Sequence, residues 1–376
     1  MEEESNKNQL SVVKNNYLTK VSSTLSITNK LLTEINNRSS VPSDDFRVAI
    51  PDVNFQKYLF EELGIVVTEG TVTYEDVKNV SEIKCPNRKI ESLEGIEYFT
   101  NLRYIDCSND NLSIFNERKG LKSNTNKLNY IDVSKNKHLT YLNCSGNQIS
   151  ILEVSHNLAL ENLNCALNQL SYLNITLNSS LIKLNCIGNQ LSDLDISLNS
   201  SLIELSCGSN QLRDLDLSNN LHLKNLHCYK NIFTHLDLSK NQKLTTVWCH
   251  DNQLTQLLLP KSIITLWCYN NNLTDLNISN CIKLDSLRCS NNQLNHLDIS
   301  KCIKLHSLRC SNNQLNHLDI SKCIKLEWLE CFDNLLQDVD TSKNRLLIGW
   351  DIENQKSEIN KSKEIMVNKF KSRYPR

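Results

Sequence analysis

Several things are scarce or missing in this 376-residue chain, and each absence closes off a class of function. Only 8 glycines and 5 prolines occur, too few for long Gly-rich or Pro-rich linkers. A net charge of -1 and a pI near 6.7 provide no general attraction to nucleic acid or to an anionic membrane surface. No run of 18 apolar residues exists, so no membrane-spanning helix is expected. The start, "MEEESNKNQLSVVKNN", lacks the apolar core of a secretory signal. A cytoplasmic location, or export without a classical signal peptide, is therefore expected. There is no G-x-x-x-x-G-K-[ST], no G-x-G-x-x-G and no H-E-x-x-H, the local patterns of phosphate, dinucleotide and zinc-protease sites. C-x-x-C pairs are also absent, which removes the usual zinc signature.

What the chain does have is repetition. The stretch "SLRCSNNQLNHLDISKCIKL" fills 286–305 and recurs unchanged over 307–326. With the cysteine as marker, Cys144, Cys165, Cys186, Cys207, Cys228 and Cys249 follow one another at intervals of 21 residues. Cys268 comes after 19, and Cys289, Cys310 and Cys331 resume the interval of 21. Two degenerate units precede these, at Cys85 and Cys107. The 37-residue step from Cys107 to Cys144 implies an inserted loop near 113–128. A fixed period in this range is the mark of a solenoid, in which each unit buries its apolar face against its neighbours.

Aligned on the cysteine, the units read L-x-x-L-x-C-x-x-N-x-L-x-x-L-D-[ILV]-S-x-[NC]-x-x. Leu326 and Leu329 before Cys331 alternate with other positions as a half-buried strand requires. Leu315 and Leu318 bury the returning half of the coil. The asparagine three positions after the cysteine, from Asn147 to Asn334, is placed to pair backbone groups that the bend would otherwise strand. This pattern resembles the leucine-rich repeat, and within that family the bacterial proteins with 21-residue units and a cysteine ladder, the ladder-bearing internalins. The resemblance covers about residues 80–350. It implies an α/β repeat fold: a curved, right-handed leucine-rich repeat solenoid with a parallel concave β-sheet and a helical N-terminal cap. "AIPDVNFQKYLFEELGI" and the residues after it look like that cap. In relatives the cap often carries an acidic, glycine-containing calcium loop; here Glu69 and Gly70 are present but no D-x-D-x-D run is, so no calcium site is expected.

The 15 cysteines are all explained by register. Twelve form the ladder, and Cys281, Cys302 and Cys323 fill the slot that holds Asn157, Asn199, Asn220 or Asn241 in other units. Stacked side chains on strands about 4.8 Å apart point the same way and meet disulfide geometry poorly. Reduced, buried thiols behaving as small hydrophobes are expected, with no metal site, no cofactor and no catalytic nucleophile, since a reactive cysteine needs a partly exposed, electropositive setting. About 30 residues follow the last unit, too few for a catalytic domain, so the chain reads as a non-enzyme.

Information about function then lies in the positions the repeat leaves free. Residues beside the strand's buried positions face the concave side. Most are small or polar, but the middle units carry His227, Tyr229, Trp248, His250, Trp267 and Tyr269, followed by Arg288, Arg309, Trp328 and Phe332. Exposed Trp, Tyr and Arg carry much of the energy of protein interfaces. Cross-strand covering of the sheet is the structural alternative. The expected function is a protein-binding scaffold acting through this face, with an adhesin or host-directed effector of internalin type, or a regulatory subunit, as the other readings.

The expected domain plan is an N-terminal amphipathic helix and linker over 1–45, the cap over 46–84, repeats over 85–350 and a C-terminal capping helix over 351–376. Leu10, Val13, Tyr17 and Val21 open an apolar stripe within 8–37, a candidate for packing on the cap, for self-association or for a partner.

Overall fold

Each turn of the coil gives three residues to one parallel sheet, and the middle one points inward. The computed structural model describes residues 42–110, 124–352 and 355, and the chain divides into two compact units, Met1–Phe46 and Arg47–Arg376. In the first, the described residues form a turn in which the Phe46 amide donates to the Ser43 carbonyl at 2.9 Å; the helix expected over 8–37 lies outside the described residues, as does most of the expected C-terminal helix.

The second unit opens with β1 (Arg47–Ala49), α1 (Val53–Leu63), β2 (Thr71–Thr73) and the short α2 (Tyr74–Val77). Strands β1 and β2 pair antiparallel. Then come β3 (Glu82–Lys84), β4 (Tyr104–Asp106), β5 (Tyr141–Asn143), β6 (Asn162–Asn164), β7 (Lys183–Asn185), β8 (Glu204–Ser206) and β9 (Asn225–His227). The remaining strands are β10 (His235–Asp237), β11 (Thr246–Trp248), β12 (Gln256–Leu258), β13 (Thr265–Trp267), β14 (Ser286–Arg288), β15 (Ser307–Arg309), β16 (Trp328–Glu330) and β17 (Gly349–Asp351). Thirteen of these, all but β1, β2, β10 and β12, form one sheet with neighbours in chain order. β10 and β12 pair with each other on the return side of the coil. The expected parallel-sheet repeat fold is what the chain adopts, and no helix among the described residues is long and apolar enough to cross a membrane.

From the Cys144 unit to the Cys331 unit the apolar residues two and five before the ladder cysteine, and five and eight after it, are buried, as are all 15 cysteines, each a free thiol. Burial pushes Cys207 up to about 12 by desolvation, and Cys144, Cys249 and Cys289 likewise. At pH 8 such a thiol is overwhelmingly protonated, and thiolate is the reactive form. A maleimide reagent is therefore expected to label few sites on the native protein and nearly all 15 after unfolding in denaturant, counted by mass spectrometry. Rapid labelling of several ladder cysteines in the native state would contradict their burial.

Two side-chain ladders tie successive turns together. In the first, Asn168 donates through Nδ2 to the carbonyls of Cys144 and Cys165 (3.0 and 3.1 Å) and accepts from the Ile149 amide at 3.0 Å. The same triad recurs through Asn334. The bend that lets this side chain turn inward puts the residue before it at positive φ: Gly146, Leu167, Gly188, Ser209, Lys230, Asp251 and so on to Asp333. In the second ladder, Asn199 Nδ2 donates to the carbonyls of Ile175 and Asn178, both at 2.9 Å, while its Oδ1 is buried without a partner. Cys281, Cys302 and Cys323 replace this second asparagine, each with its thiol 3.7 to 3.9 Å from a carbonyl of the previous turn.

Three boundaries differ from the sequence expectation. Asn126 makes the first-ladder contacts of the Cys107 unit, donating to the carbonyls of Cys85 and Cys107 and accepting from the Ile90 amide, and Leu128 is fully buried. The insertion thus sits between Cys107 and Asn126 rather than over 113–128. At the other end Gln355 takes the asparagine's place, donating to the Cys331 carbonyl at 3.0 Å and accepting from Leu336, so the ladder runs past residue 350. At the start, β3 already belongs to the sheet, so the cap proper ends before residue 82. It is fastened by Asp52, which caps α1 through Oδ1 and accepts from the Glu91 and Ser92 amides of the first turn through Oδ2.

Candidate functional site

The residue just before each ladder cysteine ends its strand and projects from the sheet, and parallel register sets these residues side by side. His227 on β9 lies opposite Trp248 on β11, which lies opposite Trp267 on β13, then Arg288 on β14 and Arg309 on β15. Backbones about 4.8 Å apart match the thickness of stacked rings. His227 and Trp248 stack at 4.1 Å between centroids, Trp248 and Trp267 at 4.5 Å with 5° between planes. The Arg288 guanidinium lies over the Trp267 ring at 4.1 Å. At the other end the Ser206 hydroxyl meets His227 Nδ1 at 3.2 Å.

A second stack runs alongside from the residues just after the cysteines. Tyr229, His250 and Tyr269 stack at 4.8 and 4.3 Å. The absence of a side chain at Gly208 makes room for the first of them, since a Cβ there would stand 3.0 Å from the Tyr229 ring. Desolvation lowers the proton affinity of both His227 and His250, favouring the neutral imidazoles that stack without charge. His250 Nδ1 lies 2.8 Å from Asp251 Oδ2, and Asn270 and Asn291 continue a side-chain chain from Asp251, each link 2.6 Å.

Six of the ten sequence-predicted residues thus form one cluster of rings. Their faces cover one another, so they offer their edges rather than the open faces a loose apolar patch would show. Arg288 and Arg309 adjoin the cluster. Trp328 and Phe332 stand apart from it: β14 and β15 separate them from Trp267. Trp328 lies over Gly349, where a Cβ would come within 2.5 Å of the indole, and donates through Nε1 to Glu330 at 2.8 Å. Sequence reading missed Tyr104 and Tyr141, stacked at 4.1 Å with the Lys84 ammonium 5.0 Å from the Tyr104 centroid. They occupy the slot of Trp328, three before the cysteine, so the register itself was the signal. Among the described residues no group of three or more His, Cys, Asp or Glu is arranged to hold a metal.

No protein-family model matches the chain, and no curated protein is significantly similar to it. Solved structures do match. The functional domain of InlJ from Listeria monocytogenes, which includes a cysteine ladder, is 28% identical over 82% of this chain and 76% of its own, with a TM-score of 0.61. The internalin InlF from Listeria monocytogenes is 21% identical over 82% of this chain and 98% of its own, TM-score 0.51. The LRIM1/APL1C complex yields a chain 19% identical over 73% of this one and 52% of its own, TM-score 0.56. The fold is that of the leucine-rich repeat, and its cysteine ladder is of the kind InlJ carries.

Proposed function

We propose that this leucine-rich repeat solenoid is a non-enzymatic scaffold that binds a protein partner on its sheet face, centred on Trp248, Trp267, Tyr229, His250 and Tyr269. One observation carries the reading: six rings from three adjacent strands stand in two parallel stacks among neighbours that are mostly small and polar. Rings already packed on one another lose little freedom when a partner arrives, so little of the contact energy is spent on ordering. LRIM1 and APL1C are found in a complex, which supports the same use of the fold here.

Truncating a central interface ring typically costs about 2 kcal/mol or more of binding, about thirtyfold in affinity. Trp248→Ala with Trp267→Ala is expected to abolish capture of the main protein partner from extracts of the source cells. Because Trp248 stacks on both His227 and Trp267, the same change is expected to lower folding stability by about 1 to 3 kcal/mol. Tyr141→Ala, which breaks the distant stack with Tyr104, provides the control: a comparable loss of stability with capture kept. His296→Gln with His317→Gln, on exposed positions away from the sheet face, is expected to change neither. Retained capture by the double tryptophan variant would overturn the proposal.

A further inference from the structure

Arg288 and Arg309 come from the two identical copies of the repeat and sit directly opposite each other on β14 and β15. Like charges directly opposite on neighbouring strands destabilise a sheet, so the pair needs an account. The carboxylate paired with it among the described residues is one-sided: Glu330 Oε2 lies 3.5 Å from Arg309 Nε, while Glu330 Oε1 is occupied by the Trp328 indole. Arg288 has the Trp267 face and no carboxylate partner among the described residues. Several surrounding donors lack a hydrogen bond. Nε of Arg288, the indole N–H of Trp267 and the Ser311 hydroxyl are buried without a hydrogen-bond partner, Arg309 Nε has only its 3.5 Å ion pair with Glu330, and Ser311 as a residue is only 1% exposed. Small side chains flank the pair on both sides, Ser286 and Ser307 on one and Ser290 and Ser311 on the other, leaving a trough between the Trp267 stack and Trp328.

We infer that this trough is an anion subsite that takes a carboxylate from an acidic segment of the partner, with Arg288 and Arg309 as its clamp; the inference rests on the sheet face being the contact surface. Guanidinium groups are suited to carboxylates, which accept two parallel N–H bonds. With Glu330 counted, the site carries one positive charge in excess, which a monoanionic carboxylate balances and a dianionic phosphate exceeds. Neighbouring rings give the rest of an acidic peptide an apolar ridge to lie along.

The chain has four tryptophans, hence four indole N–H signals in a nitrogen–proton correlation spectrum, with that of Trp267 identified by its loss in Trp267→Phe. Tetraglutamate is expected to shift the Trp267 signal saturably, and tetralysine to leave it in place. Arg288→Gln with Arg309→Gln is expected to weaken the tetraglutamate response at least tenfold. Glu330→Gln keeps the acceptor for Trp328 but frees Arg309, so it is expected to tighten the response severalfold; this variant decides the matter even if the double arginine change fails to fold. No saturable shift with tetraglutamate, a stronger response to inorganic phosphate, or weaker binding by Glu330→Gln would each overturn the carboxylate subsite. Partner capture that still depends on Trp248 and Trp267 in that event would leave the protein-binding reading standing.

Discussion

Asn168→Ala is expected to lower unfolding stability by about 2 to 6 kcal/mol, whereas Asn199→Cys, in the other ladder, is expected to cost under about 1.5 kcal/mol. The difference lies in what each side chain's partners have left. When Asn168 is removed, the Ile149 amide loses its acceptor and is buried unpaired, a penalty of about 1 to 3 kcal/mol. The carbonyls of Cys144 and Cys165 each keep one donor, Asn147 and Asn189 respectively, so each loses one bond of roughly 0.5 to 1.5 kcal/mol. Around Asn199 the accounting is milder. Its two acceptors already receive backbone amides, Asn178 N to the Ile175 carbonyl at 3.0 Å and Leu181 N to the Asn178 carbonyl at 3.1 Å, and its own Oδ1 has no partner to lose. The chain itself makes the second substitution three times, at Cys281, Cys302 and Cys323, and nowhere in the run from Asn147 to Asn334 does it make the first. Denaturant midpoints under reducing conditions decide the point; equal losses would mean the first ladder does not hold the turns as described.

Leu205→Ala is expected to cost about 2 to 5 kcal/mol, and Cys207→Ala about 1 kcal/mol. Leu205 is the inward residue of β8, 1% exposed, in register between Leu184 and Leu226. Neighbouring turns are fixed by their own hydrogen bonds and cannot collapse into the space it leaves, so the transfer loss and the cavity both count. Cys207 is equally buried, but only one sulfur atom is lost. The same midpoint measurement ranks them, and a Cys207→Ala loss as large as that of Leu205→Ala would contradict the register that sets both side chains in the core.

Position within the repeat explains which parts of this architecture were legible beforehand. Counting from the cysteine places Leu205 inward and Trp248 outward without any coordinates, and it puts His227, Trp248 and Trp267 on neighbouring strands. It says nothing of ring orientation, because stacking depends on side-chain torsions that strand spacing permits but does not dictate; hence it leaves cross-strand covering and an open patch as alternatives, and the ring contacts show the covering. The insertion was misplaced for a related reason. Leu112 stands five residues after Cys107, where a core leucine is due, but Leu128 stands the same distance from the cysteine once 16 residues are set aside, and only the contacts of Asn126 choose between them. The left-handed bend before the first-ladder asparagines from Asn147 to Asn334 was hidden because glycine occupies it only twice, at Gly146 and Gly188, while residues such as Leu167 and Lys230 adopt it too. There the pull of the asparagine's bonds outweighs a local preference of about 1 to 2 kcal/mol.

The two identical turns carry identical fastenings: Asn292 reaches the Cys268 carbonyl at 3.0 Å and Asn313 reaches the Cys289 carbonyl at 3.1 Å. A turn that meets its successor through the same groups with which it meets its predecessor is interchangeable with that successor. During folding, one copy can dock where the other belongs, a slip by a whole repeat that keeps the ladder bonds, gives up the contact between His306 and Asp285 and loops out 21 residues. What distinguishes the correct count is the pair of unlike ends, Asp52 anchoring the first turn and Gln355 in the asparagine's place at the far end of the described ladder. At the level of the gene the same interchangeability makes the number of turns easy to change, since a recombination that adds or drops one such segment lengthens or shortens the row of arginines without disturbing the turns on either side.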